Sequence, residues 1–173
     1  MKLIRPTIAY DKQIQAFRNE FCHSGMSMDG GGSLIRYPDT RDWLELVERY
    51  SSPKTVPEGR AVATQLMYLR EEDQTIVGVL QIRHALVTEE LRRYSGHIGY
   101  SVAPSERRKG YAAAMLNAAL PVCRAIGLDR VLISCTRENE GSRRTILKNG
   151  GVCESTVYQP ECDRYLERYW IEL

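Results

Sequence analysis

A chain of 173 residues, 43 % apolar and 27 % charged, is long enough for one domain with a real core and short for two. Its 24 basic and 22 acidic residues leave a net charge of +2, which gives no overall drive toward nucleic acid or an anionic membrane. No run approaches the roughly 18 apolar residues of a spanning helix, and Met1–Arg5 leads into polar sequence without a secretory apolar stretch, so a cytoplasmic location is expected. The five cysteines (Cys22, Cys123, Cys135, Cys153 and Cys162) are odd in number and lack Cys-x-x-Cys spacing, which reads as reduced thiols and no metal site.

Lys2 to Arg5 is a short opening strand that Pro6 stops. From Asp11 to Phe21, the residues Ile14, Phe17, Arg18 and Phe21 recur at spacings of three and four, which predicts a helix. His23 to Ser33 is too rich in Gly and Ser for regular structure. Within it, Asp29 to Ser33 lacks the preceding strand and following Lys-Ser/Thr of a phosphate loop, so it reads as a flexible connector. Asp39 or Thr40 caps a second helix to about Arg49, with Trp43, Leu44, Leu46, Val47 and Tyr50 as a broad apolar face. Ala61 to Arg70 and Thr75 to His84 then read as an antiparallel hairpin about Glu71–Gln74, and Leu86 to Tyr94 as a polar, partly helical connection.

The stretch from His97 to Gly127 carries the chemistry. His97 to Ala103 alternates as a strand and stops at Pro104, while the Ala-rich run to Ile126 is a helix ended by Gly127. Between them Ser105-Glu106-Arg107-Arg108-Lys109-Gly110 delivers a glycine to the helix start. The first turn of a helix has amide hydrogens without intrahelical partners and about half a positive charge. Gly110 lets a phosphate approach that backbone closely, and three basic side chains add charge that suits a diphosphate. A strand from Arg130 to Cys135 follows, then a helix opened by Asn139 and ended near Gly150, and two closing strands, Val152 to Val157 and Arg164 to Leu173.

Arg107-Arg108-Lys109-Gly110-Tyr111-Ala112 resembles the (Gln/Arg)-x-x-Gly-x-(Gly/Ala) signature of the GNAT N-acetyltransferase superfamily, and Asn139 to Gly151 resembles that family's second block. Ile82-Arg83-His84 and Gly96-His97-Ile98-Gly99-Tyr100 look like a bacterial branch of predicted acetyltransferases. The resemblance implies one α/β domain over residues 1–173 (α+β by some schemes), with a mixed, mostly antiparallel central sheet flanked by helices and two parallel strands that splay at the cofactor cleft. It implies acetyl-CoA as co-substrate, with Arg107, Arg108, Lys109, Gly110, Tyr111 and Ala112 on the diphosphate, backbone near Val102 on pantetheine, and Asn139 and Ser142 facing the arm. The implied reaction is direct acetyl transfer to a primary amine of a small molecule or peptide, without metal or nucleic acid. Family habit favours a homodimer.

Two departures stand out. Ile146 occupies the position at which many members carry a proton-donating Tyr, and Gly151 replaces the usual Phe. Either another donor serves, or water assists the leaving thiolate, or this copy only binds acyl-CoA as a sensor or partner-binding module. Acetyl transfer needs a base for the amine, because an alkylammonium titrates near ~10.4. His97 on the central strand is the first candidate and His84 at the hairpin's end the second, while Tyr100 is the candidate donor to the thiolate. The acceptor groove is expected between the first two helices, the Ser24–Tyr37 loop and the Tyr158–Arg164 turn, where Asp29, Asp39, Glu161 and Asp163 mix with Arg36, Arg41 and Arg164.

Overall fold

The hairpin that alternation predicts forms the middle of the larger sheet. In the computed structural model, which describes residues 1–173, strands β2 (Ala63–Arg70) and β3 (Thr75–Arg83) pair antiparallel. β1 (Lys2–Ile4) adds outside β2 and β4 (Ile98–Val102) outside β3, giving the order β1-β2-β3-β4. β5 (Arg130–Thr136), β6 (Val152–Gln159) and β7 (Arg164–Glu172) form a second antiparallel sheet in the order β5-β7-β6. Helices α1 (Asp11–Ser24), α2 (Thr40–Tyr50), α3 (Tyr111–Ala125) and α4 (Glu140–Lys148) complete the fold.

β2 and β3 are apolar almost throughout because both of their faces are covered, which is why they read as near-continuous runs rather than strict alternation. On one face Met67, Leu69 and Val79 meet Ile14, Phe17 and Phe21 of α1 and Trp43 of α2. On the other, Leu66, Leu80, Ile82 and Ile98 meet Met115, Leu116, Ala119 and Cys123 of α3.

Two expectations need correction. First, β4 and β5 share no ladder, parallel or otherwise. They touch through one bridge of antiparallel sense, Gly96 to Ile133, and the sheets part beyond it. The polar connection ends in a wide helical turn over Leu91–Ser95, closed by Gly96 N–H to Leu91 O at 2.7 Å, and the bridge falls on the residue just after it, two before β4 begins. Second, the glycine-rich segment is pinned, not loose. The fully buried Trp43 indole donates to the carbonyls of Gly31 and Gly32, both at 3.1 Å, and buried Gln65 donates to Gly30 O at 2.7 Å. Gly30, at φ +70°, lies so close over β4 that a Cβ there would stand 2.0 Å from Gly99 O. Glycine serves close approach at this position, and composition alone reads the same residues as mobility.

Candidate active site

β4 is the last strand of one sheet and β5 the first of the other, so two unpaired strand edges face each other. His97 O accepts from Arg83 N–H at 2.7 Å and Ala103 N–H donates to Val77 O at 2.9 Å; the antiparallel period therefore aims the backbone groups of Ile98, Tyr100 and Val102 away from β3. They open on a cleft of about 1120 Å³ lined by both strands, the α3 start, the α4 start and the loop after α1. An open edge of this kind can hold an extended ligand that carries amides, as an added strand would be held.

At one end of the cleft, Gly110 stands at φ +83° as the N-cap of α3 with no heavy atom within 4 Å of where a Cβ would lie. The first helical bond runs from Ala114 N–H to Gly110 O at 3.2 Å, which leaves the amides of Tyr111, Ala112 and Ala113 without intrahelical partners. Arg107, Arg108, Gly110, Tyr111 and Ala112 line the cleft with Val102, Asn139 and Ser142. Lys109 does not. Its Nζ is 2.9 Å from Glu106, a buried carboxylate that Arg70 also grips at 2.9 Å, and the two cations hold that carboxyl below its ordinary range. This Arg70–Glu106–Lys109 cluster braces the turn, and the spacing of the sequence did not reveal it. Arg107 is folded back, with Nε to Val102 O at 3.3 Å and its guanidinium 5.9 Å over the Phe21 ring.

Asn139 caps α4 by accepting from Ser142 N–H at 3.0 Å. The Tyr100 hydroxyl is 2.8 Å from Ser142 Oγ, and burial pushes its pKa up to about 12. Tyr100 therefore keeps its proton throughout the physiological range and presents an O–H beside the α4 start. Ile146 points elsewhere: it is fully buried in the core, and the α4 residues that line the cleft include Ser142, Arg144 and Thr145. Cys135 also lines the cleft, and burial pushes its thiol up to about 11, so it stays protonated.

Neither histidine reaches the cleft. His97 is buried, its backbone N–H donates to Leu132 O at 2.7 Å, and its Nδ1 accepts from Leu132 N–H at 2.9 Å. That lone pair is committed, the proton therefore sits on Nε2, and burial, with Arg83 nearby, pushes the pKa down. His84 Nε2 pairs with Thr64 Oγ1 at 2.8 Å, and its pKa is lowered by burial and by Arg5. Of the charged residues expected around the acceptor, Asp29 and Arg164 line the cleft. Asp39 and Arg41 line a separate, smaller hollow beside α2, and Arg36, Glu161 and Asp163 line neither. Arg83, Tyr94 and Ser95 line the cleft without having been singled out, because a strand's last residue and a turn carry no local signal of a ligand.

The fold is that of known N-acetyltransferases. Over 98 % of this chain and 91 % of the other, it superposes on the ribosomal-protein-S5-alanine acetyltransferase from Vibrio fischeri with a TM-score of 0.72 at 14 % identity. The microcin C7 self-immunity acetyltransferase MccE, solved with acetyl-CoA and AMP, matches at 0.68 and 18 % identity over 99 % and 91 %. RimJ from Mycobacterium smegmatis, solved with CoA-disulfide, matches at 0.68 and 22 % over 98 % and 80 %. No curated protein sequence matches the chain. A family model described as the acetyltransferase (GNAT) domain matches residues 9–152, and the chain belongs to that family. It is an N-acetyltransferase whose co-substrate is acetyl-CoA. No observation favours the acyl-CoA sensor over the enzyme, and no helix is long and apolar enough to cross a membrane.

Proposed function

We propose that residues 1–173 act as one cytoplasmic domain that transfers acetyl from acetyl-CoA directly to a primary amine within a ternary complex. The observation that carries this reading is the union, in one cleft, of the free α3 amides behind Gly110 and the open edge of β4. The residues fit the co-substrate: Arg107, Arg108, Gly110, Tyr111 and Ala112 hold the diphosphate, Val102 backbone the pantetheine amides, and Asn139 with Ser142 the far wall. Lys109 contributes by fixing Glu106 rather than by touching the phosphate.

In the reaction a bond forms between the amine nitrogen and the acetyl carbon, the acetyl carbon–sulfur bond breaks, and the amine gives up its proton. The outward amides of β4 near Tyr100 are donors for charge developing on the carbonyl oxygen. Tyr100 donates a hydrogen bond to the departing sulfur; with its pKa near 12, full transfer to a thiolate whose acid titrates near ~8.5 is uphill, so the final proton comes from solvent. His97, which joins the two sheets through Leu132, and His84, which pairs with Thr64, are structural here, not bases. The test is calorimetric titration with acetyl-CoA, followed by thiol release against pooled amines, with Gly110→Asp beside wild type. Tight binding, amine-dependent release and loss of binding in the variant are expected. Equal affinity in the variant overturns the site.

A further inference from the structure

Two opposite charges line the acceptor side of the cleft without pairing. Arg83, at the end of β3, is half-buried; its Nη1 donates to Gly96 O at 3.1 Å, and no carboxylate oxygen lies within 4.0 Å of it. Its Nε and Nη2 make no hydrogen bond inside the chain, neither is sealed from solvent, and the residue lines the cleft. Asp29, carried over β4 by the pinned Gly30, lines the same cleft and makes no hydrogen bond or ion pair. The two sense each other's charge, as Arg83 does that of Glu90, which does not line the cleft. Burial lowers the pKa of the Arg83 guanidinium, and the two carboxylates, held out of contact, offset that cost only in part. A ligand whose own charges are opposed to theirs relieves both.

We propose that the acceptor is an amine bearing a carboxylate on a neighbouring carbon, a free amino acid, with the carboxylate held by Arg83 and the amine turned toward Asp29. A planar guanidinium with two free donors suits a carboxylate. A polyamine brings no anion and meets Arg83 as a like charge. A peptide N-terminus offers Arg83 a neutral carbonyl, a weaker partner than a carboxylate. Asp29, facing the ammonium, is the group through which its proton leaves, directly or by way of water.

The inference rests on the acetyl-transfer reading, and two arms keep them separable. Thiol release is measured against pooled amino acids, the matching decarboxylated amines and the matching amino acid amides. Equilibrium binding of the same pools is measured on the CoA-saturated protein. Free amino acids are expected to exceed both other pools by at least about tenfold in kcat/KM and in affinity, the worth of one charge-assisted contact. Arg83→Gln collapses that ratio toward one while acetyl-CoA affinity holds. Asp29→Asn, on an exposed loop residue, lowers kcat/KM for every amine and provides a variant that folds if Arg83→Gln does not. Amines or amides that match the amino acids in both arms overturn the proposal and leave acetyl transfer standing. Preferential amino acid binding with no release from any pool keeps Arg83 and Asp29 as an amino acid site but overturns both acetyl transfer and the role of that amino acid as acceptor.

Discussion

Replacing His97 by Ala removes the acceptor of the Leu132 amide, at a point where the two sheets are also joined by the Gly96–Ile133 bridge, with its His97 N–H to Leu132 O bond, and by the Ser134 hydroxyl on the carbonyls of Tyr94 and Ser95. Leu132 is buried, so its N–H is left without a partner at a cost of about 1–3 kcal/mol. Loss of the imidazole, which packs 6.0 Å from the Trp170 ring, leaves a void worth roughly another 1 kcal/mol. For a chain of this size a loss of about 2–4 kcal/mol lowers Tm by roughly 4–16 °C. The pH dependence carries a second signature. The folded state depresses the His97 pKa, so below the unfolded value near ~6.5 the unfolded chain binds the extra proton and stability falls, at up to about 1.4 kcal/mol per pH unit, until the folded pKa is passed. His84 is depressed as well and contributes in the same direction. Calorimetric melts from pH 7.5 to 5 should show this acid loss in wild type and a smaller one, from His84 alone, in His97→Ala. The kcat/KM profile should keep its shape in the variant. A variant that melts with wild type, yet loses turnover together with the acid limb of the profile, would refute the structural role and make His97 the base.

Tyr100→Phe keeps the ring and deletes the donor; kcat should fall about 10²-fold while the calorimetric affinity for acetyl-CoA stays within twofold. Gly110→Asp places a carboxylate and a strained left-handed residue at the diphosphate end, and the affinity for CoA should drop by at least about tenfold in the same titration. Gly30→Ala cannot be accommodated over Gly99 O, so the loop that carries Asp29 must lift, and turnover should fall while CoA binding persists.

What the sequence reveals here is whatever is encoded locally. The basic turn and its glycine, the hairpin and the caps at Asp39 and Asn139 each declare themselves within a few residues, and the structure has them. What stayed hidden is set by distant partners. His97 looks like a base on a strand, and only Leu132, 35 positions away, turns it into a clamp. The Gly30–Gly32 loop looks slack until Trp43 and Gln65 bind its carbonyls. Asp29 and Arg83 carry no motif at all; the fold alone sets them on one wall.

The same reasoning joins the two departures at the end of α4. Ile146 is fully buried, and its Cγ2 lies 2.4 Å from where a Gly151 Cβ would stand, while Gly151 N–H donates to Ile146 O at 3.0 Å. The branched side chain of Ile146 and its own carbonyl, 2.9 Å from the same point, together leave no room for a side chain at position 151, and neither departure bears on the proton donor. Putting the family's Tyr back as Ile146→Tyr forces a ring into a filled core and leaves its hydroxyl without a partner, together roughly 2–5 kcal/mol, or about 4–20 °C in Tm. In a Tyr100→Phe background the added phenol should not restore turnover, because position 146 faces away from the cleft. Recovery of kcat in that double variant, with Tm unchanged, would mean that α4 presents the family's usual face to the co-substrate and that Tyr100 is not the donor.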